Sequence, residues 1–378
     1  MKQFNFGESN LTPEGFVHDR HTAAIVTMSK PHKISGAQKF KDDLQKRHGG
    51  MKKRKVFVSK GYLKYAQDRV VRSLLKNIFY DKFNTEHIIS YKKGVDPHEV
   101  LKRECIGKDL MVKFDIKKYY DNITSNMIYN SLRKLGFNHS GAKMITKLCT
   151  VKINGRYTLQ QGSSVSPLIS NVVGHFYLDK PIMKYLDKVR EKYPRLEVTH
   201  KRYCDNIGIW LDGPIPGNLL EPMKADIKEM IKPFRTHDWY TISGDHPKMA
   251  QTFLGVTLNE HMKIPKFRYE RVRALLFNAA TKDTILEAAK YFQERGEEVP
   301  LGLGEIKEKF LQRMRGFTTY VKKVNSKQGL ELEKLISAID IVGGKPRMID
   351  KLDDNVFWAI KQYGKKNESL ETYKARLM

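Results

Sequence analysis

The sequence predicts a mixed α/β (α+β) chain that ends in an all-helical segment, and three observations carry that expectation. Compact apolar strands, Leu110 to Ile116, Leu196 to Arg202 and Ile207 to Leu211, occupy the middle of the chain. Stretches with apolar residues near a 3.6-residue period lie before and between them. After about residue 270 strand signals nearly vanish. With 378 residues the chain can bury a large core, and length alone implies roughly two or three domains or subdomains.

Taken in order, residues 1–29 carry few signals. From Lys30 to Lys60 the chain is very basic, with Lys46-Arg47 and the run Lys52-Lys53-Arg54-Lys55. Val56-Phe57-Val58 reads as a short strand. Leu63, Val70, Leu74, Leu75 and Ile78 predict one helix over Tyr62 to Phe83. A break at Gly94-Val95-Asp96-Pro97 opens a second helix, roughly 97–106. Thr124 or Ser125 can cap the helix after the first central strand, and Gly136 ends it. Lys152 to Gly162 reads as a basic, polar loop. Ser166 as N-cap with Pro167 at the first helical position predicts a helix through Ile182, with Gly174 and Pro181 as interruptions. The strands at Leu196 and Ile207 predict a hairpin tipped by Tyr203-Cys204-Asp205-Asn206, with Asp and Asn tolerating left-handed backbone. Thr252 to Leu258 reads as a strand. Ala274 to Glu294, Gly304 to Lys323, Gly329 to Ile341 and Asp353 to Tyr363 read as helices.

Composition narrows the partners. Lys plus Arg number 69 against 42 Asp plus Glu, a net charge of +27, which points to a polyanion, and to nucleic acid ahead of membrane. No run of about 18 apolar residues offers a membrane span. Met1 to Glu14 is polar and acid-containing, unlike a signal peptide. Cys105, Cys149 and Cys204 are widely spaced, forming neither a disulfide framework nor a zinc module, which fits a cytoplasmic location.

Nucleotidyl transfer needs two divalent ions about 3.5–4 Å apart. Magnesium takes oxygen ligands, so aspartates from separate strands suffice. Asp115 at the end of an apolar strand and Asp205 on a hairpin tip meet that need, although either alone is more often a turn or cap residue. Their context is more specific. Phe114-Asp115-Ile116-Lys117-Lys118-Tyr119-Tyr120 is followed by Leu159-Gln160-Gln161-Gly162-Ser163-Ser164-Val165-Ser166-Pro167, then Tyr203-Cys204-Asp205-Asn206, then Phe253-Leu254-Gly255. In that order these resemble the successive motifs of reverse transcriptases, with Gln160 where the family has proline. Arg54-Lys55-Val56, Ile89-Ser90-Tyr91-Lys92-Lys93-Gly94 and Arg313 to Asn325 more loosely resemble finger and thumb segments of the bacterial retron and group II intron type.

The resemblance covers about residues 30–340 and implies a right-hand polymerase. Its fingers and palm surround an antiparallel catalytic sheet, followed by a helical thumb. Expected bounds are an extension over 1–29, fingers over 30–109 with 137–165 shared between fingers and palm, palm over 110–265, and thumb with C-terminal extension over 266–378. It implies Asp115, Asp205 and the Ile116 carbonyl as ligands of two magnesium ions, with manganese able to substitute. Tyr120 would act as the sugar gate, and Gln161 and Gly162 would lie at the nascent pair. Arg54 and Lys53 would face the triphosphate, with Lys248 or His246 as general acid. Tyr203, Phe253, Leu254 and Gly255 would contact primer and template. Plainer readings are a core tyrosine for Tyr120 and a solvated basic face for Lys52 to Lys55.

Asn206 stands where the family has its second turn aspartate, keeping one carbonyl ligand but losing a negative charge. An engineered change, a tolerated natural one and a degenerate RNA-binding scaffold all fit it. The resemblance implies an RNA-directed DNA polymerase acting on dNTPs. It further implies a dedicated structured noncoding RNA as template, complementary DNA as product, and an anti-phage defence role of the class 2 type. A catalytically silent RNA-binding protein and an RNA-dependent RNA polymerase are the alternatives, the latter disfavoured by Tyr120. Oligomeric state is not legible.

Overall fold

The computed structural model describes residues 30–34, 54–59, 61–70, 75–153, 155–246, 249–295, 297, 299–300 and 302–342. The chain divides into two compact units, residues 1–254 and 255–378.

The first unit begins with strands β1 (Lys30–Ile34) and β2 (Arg54–Val58), paired antiparallel. Helices α1 (Gly61–Val70) and α2 (Lys76–Lys82) follow, where the sequence predicts one. Helix α3 (Pro97–Glu104) starts as expected, with Asp96 accepting from His98 N and Pro97 in the first turn. After β3 (Leu110–Asp115), a short helix α4 (Tyr119–Asn122) leads to α5 (Ser125–Leu135). Thr124 is the N-cap of α5 and Gly136 its left-handed C-cap, φ 104°. Helix α6 (His139–Cys149) then enters the hairpin β4 (Thr150–Ile153) and β5 (Arg156–Leu159). The polar sequence there reads as a loop because its strands bury little apolar surface.

Ser166 is the first residue of α7 (Ser166–Gly174), not its cap, and its hydroxyl donates to Gln160 O instead. One wide π turn over His175–Asp179 joins α7 to α8 (Lys180–Lys192) without a break. The predicted helix therefore runs ten residues past Ile182. A π turn changes the backbone bonding just where Pro181 brings no N–H, so the proline opens α8 rather than ending the helix.

Strands β6 (Glu197–Tyr203) and β7 (Asn206–Asp212) form the expected hairpin. With β3 and β8 (Tyr240–Ser243) they make a four-stranded antiparallel sheet in the order β6-β7-β3-β8, with α9 (Leu220–Met230) between β7 and β8 in sequence. Side chains alternate across it. Val112, Phe114, Ile207, Ile209 and Leu211 share the core with Val172, Ile182 and Leu186 of α7 and α8. Lys113, Asp115, Asn206, Gly208 and Trp210 belong to the opposite face by the same alternation.

Residues 252–258 are a hairpin, β9 (Thr252–Phe253) with β10 (Val256–Thr257), rather than one strand. Leu254 and Gly255 both take positive φ, 48° and 81°, as a two-residue primed turn requires.

Beyond β10, the described elements of the second unit are helices: α10 (Lys266–Thr281), α11 (Thr284–Glu294), α12 (Leu303–Val324) and α13 (Ser326–Val342). Asp283 accepts from Ile285 N and Leu286 N, and so splits the predicted 274–294 helix in two. Asn325 links α12 to α13, with Gln328 N donating to its side chain at 3.1 Å. A Cβ on Gly329 would meet Lys322 Cα at 2.3 Å, so glycine is what lets these helices pack closely. The predicted helix 353–363 lies outside the described residues.

Candidate active site

Asp115 ends β3, and its register partner across the sheet is Asn206, the first residue of β7. The next residue, Ile116, donates its N–H to Asp205 O at 2.9 Å. Hydrogen-bonded and non-hydrogen-bonded pairs alternate along antiparallel strands. Asp115 and Asn206 are therefore a non-hydrogen-bonded pair, with Cα atoms about 4.5 Å apart and side chains on one face. Asn206 Nδ2 donates to Asp205 Oδ1 at 3.0 Å. Asp115, Asp205 and Asn206 are thus gathered at one end of the sheet, with the buried Ile116 beside them. His237 N donates to Asp115 O at 2.8 Å and Lys117 N to Arg235 O at 2.8 Å, fixing the other side of this strand end. The left-handed residue of the turn is Cys204, φ 57°, rather than the expected Asp or Asn.

The turn is held from below by a buried polar group of residues that the sequence does not announce. Arg202 and Asp179, both fully buried, pair through Nε (2.8 Å to Oδ1) and Nη2 (2.8 Å to Oδ2). Arg202 Nη1 also donates to Cys204 O at 3.1 Å. Cys204 N donates to Ser90 Oγ at 3.1 Å, and Ser90 Oγ donates to Asn171 Oδ1 at 2.9 Å. Both peptide groups of Cys204, the residue before Asp205, are therefore fixed. Burial would raise the Asp179 carboxyl, but Arg202 and the neighbouring histidines outweigh it and hold the carboxyl well below the usual range. A Cβ on Gly174 would meet Arg202 Cζ at 2.7 Å, so the helix needs glycine where the guanidinium passes.

Tyr120, on α4, is half-buried, and Cys204 Sγ lies 3.7 Å from its hydroxyl. Burial, with the Cys204 thiol next, pushes that hydroxyl far above the ordinary tyrosine range. Tyr203 packs against Tyr91, with ring centroids 5.8 Å apart. Tyr91 is itself left-handed, φ 54°. Gln161 Nε2 reaches Asp121 Oδ1 at 3.2 Å, one residue past Tyr120, and Gln161 O accepts from Phe57 N at 2.7 Å. Gly162 takes φ 96°, where other residues are strained. Gln160 is buried and ties β2 down, with Nε2 donating to Phe57 O (3.0 Å) and Ser59 Oγ (2.9 Å). Phe253 packs edge-to-face on Trp210 at 5.2 Å, which makes it part of the core as well. Lys53 and Lys248 lie outside the described residues, as does the side chain of Arg54. His246 Nδ1 accepts from Met249 N at 2.9 Å in a local turn.

Asp115, Asp205 and the Ile116 carbonyl offer the hard oxygen donors that magnesium favours. A second cluster, His87, His175 and Asp179, has ligand atoms within 4.8 Å of one another. Arg202 already occupies both Asp179 oxygens there, so an added dication would meet a buried guanidinium with one carboxylate to balance both. That cluster suits an ion pair rather than a metal.

The first unit thus carries an antiparallel sheet with carboxylates on a strand end and on the adjoining turn, backed by helices. No family model matches the chain. It is 25% identical over 122 residues, 32% of its length, to the retron Ec86 reverse transcriptase of Escherichia coli. The chain spans 35% of the length of that relative. Similar solved structures include apo telomerase from Candida tropicalis (13% identity, TM-score 0.42, 82% of this chain and 67% of that one). Another is telomerase from Candida albicans in complex with a telomeric RNA fragment (11%, TM-score 0.40, 88% and 65%). The chain resembles the bacterial reverse transcriptases.

Among the described residues, no helix is long and apolar enough to cross a membrane.

Proposed function

We propose that this chain is an RNA-directed DNA polymerase, a nucleotidyltransferase that copies an RNA template into complementary DNA. The observation that carries the reading is the register of β3 on β7, which sets Asp115 opposite Asn206 and beside Asp205. Asp115 and Asp205 would hold two magnesium ions, with the Ile116 carbonyl as a further oxygen. When bound, such ions activate the primer hydroxyl and steady the departing pyrophosphate. Asn206 contributes an amide in place of a carboxylate, so the site is one negative charge short and its metal affinity and rate are reduced.

The protein's own groups do the positioning. Tyr120 stands where a ring beside the sugar would collide with a 2′-hydroxyl, which favours deoxynucleotides. Gln161 and Gly162 would shape the floor under the nascent pair. Lys53 and Arg54 would face the triphosphate, and Lys248 or His246 would protonate the leaving group. Tyr203, Phe253, Leu254 and Gly255 would bear on primer and template. In this reading residues 30–109 are fingers, with 137–165 shared, 110–265 are palm, and 266–378 are thumb and extension. A structured noncoding RNA as dedicated template, a cytoplasmic setting and a role in anti-phage defence complete it.

Asn206 favours one second reading, a polymerase fold kept as an RNA-binding scaffold. Extension of a primed RNA template with magnesium, by this chain and by Asn206→Asp, separates the two. Extension by either supports the polymerase. Tight RNA binding with no extension by both overturns it in favour of the scaffold.

A further inference from the structure

Helix α8 carries a row of basic groups that the catalytic reading does not use. Its buried residues Ile182, Leu186 and Val189 face the core, and α8 packs on β6. Lys180, Lys184 and Lys188 recur every fourth residue and are exposed. They form one outward stripe with Cα atoms roughly 6 Å apart along the axis. Two concavities of about 600 and 410 Å³ flank the stripe and share all three lysines. The stripe belongs to the helix layer on one side of the sheet, whereas Asp115 and Asn206 belong to the other face.

Lys180 of the stripe and Lys134 of α5 are oriented by rings as well as exposed. Lys180 Nζ lies 5.2 Å from the Phe83 ring centre and 5.0 Å from that of Phe176. Lys134 Nζ lies 5.3 Å from Phe176 and 5.4 Å from Tyr177. Among the described residues, none of these four lysines forms an ion pair. The neighbouring Asp187 is paired with Arg190, leaving Glu191 as the acid of the larger concavity. Rings that hold ammonium groups in place reduce the ordering cost of meeting an anion. Phe176 is itself buried, only 7% exposed, and Phe83, Tyr177 and Tyr185 are partly buried against the core, so none of these rings stands out from the surface as a bilayer-inserting group would. A ridge of spaced cations between shallow grooves matches a row of backbone phosphates.

We propose that the α8 stripe is a second RNA-binding surface, separate from the catalytic face, which grips the backbone of a double-helical part of the RNA. Recognition there is by phosphate position and helix shape, not by base sequence. The template role of RNA rests on the function proposed above, but the binding itself requires no catalysis. The two therefore fail separately.

The test uses the full chain and an RNA hairpin with a stem of about 20 base pairs, comparable to what a shape-reading module spans. Affinity is measured without nucleotides across a salt series. The triple variant Lys180→Ala, Lys184→Ala, Lys188→Ala should lower the log–log salt slope by about 2–3 and weaken binding accordingly. Its unfolding midpoint and its extension of a short primed template should match those of the parent. A control triple variant, Lys102→Ala, Lys143→Ala, Lys147→Ala, removes the same charge from α3 and α6. An unchanged slope in the α8 variant would overturn the proposal. So would an equal loss in the control, or an equal loss on a DNA hairpin of the same length.

Discussion

Asp115 and Asn206 face each other across β3 and β7, and the peptide after Asp115 is bonded to Asp205 by Ile116 N–H at 2.9 Å. Two segments ninety positions apart in sequence therefore present their polar side chains at one strand end. Replacing Asp115 or Asp205 singly with asparagine should abolish magnesium-dependent primer extension. Neither side chain is in the core, so the unfolding midpoint should move little, within about 0.5 kcal/mol. Retained extension in either variant would remove that residue from the metal set.

Asn206→Asp restores the missing charge at the same turn. Extension should rise on the order of 10–100-fold, the scale seen when groups supporting a metal site are changed, and the magnesium concentration at half-maximal rate should fall. Kinetics over a magnesium titration measure both.

The Arg202–Asp179 pair is buried from both sides and braces the turn through Cys204 O. Arg202→Met leaves a buried carboxylate and Asp179→Asn a buried guanidinium, so each should cost about 3–5 kcal/mol of stability. The double variant Arg202→Met, Asp179→Leu should recover much of that loss in denaturant melts. It should not recover the extension rate, because the Cys204 carbonyl remains untethered.

Gln160 stands where the reverse-transcriptase motif it resembles has proline, and it donates to Phe57 O and Ser59 Oγ, while its own N–H donates to Cys149 O at 3.0 Å. Gln160→Pro removes all of these and leaves buried acceptors unmet. It should destabilise the fold by about 1–3 kcal/mol, read as a lower urea midpoint at unchanged slope.

His175 is buried, and burial lowers its pKa from 6.5 to about 4. The unfolded chain binds a proton that the fold refuses between those values, so stability is complete above pH about 6.5 and falls as pH drops toward 4. The loss from this group is on the order of 3 kcal/mol at most. Neither ring nitrogen has a partner among the described residues, and Phe79, Phe83 and Phe176 surround the ring. His175→Phe should flatten that part of the melting-against-pH curve without loss of stability at neutral pH.

Tyr120→Ala should admit ribonucleotides if this ring is the gate, whereas Tyr120→Phe should keep deoxynucleotide preference. Competition between labelled dNTP and rNTP in single-turnover extension measures the ratio.

Much of the site is legible in the chain's residue pattern, because metal chemistry and tight turns restrict residue types. The strand before Asp115, the hairpin before Asp205 and the Thr124 and Gly136 caps are local patterns, and local patterns are what sequence periodicity records. The β4–β5 hairpin and β8 escape because short, half-exposed strands have little apolar signal. The long helix through Pro181 escapes because a π turn leaves no sequence period of its own. The polar brace of Ser90, Asn171, Asp179 and Arg202 escapes for another reason. Its members are drawn from three separate segments, and each by itself reads as an ordinary polar residue.

By itself the sequence determined the order of the motifs, the basic charge, the helical end and the single amide at Asn206. These follow from residue type and spacing along the chain. Only the tertiary structure decided that Asn206 is the direct partner of Asp115, that Cys204 takes the left-handed turn position, and that Arg202 holds that residue from beneath. Register and burial are set by contacts between distant segments, and no local pattern carries their energies.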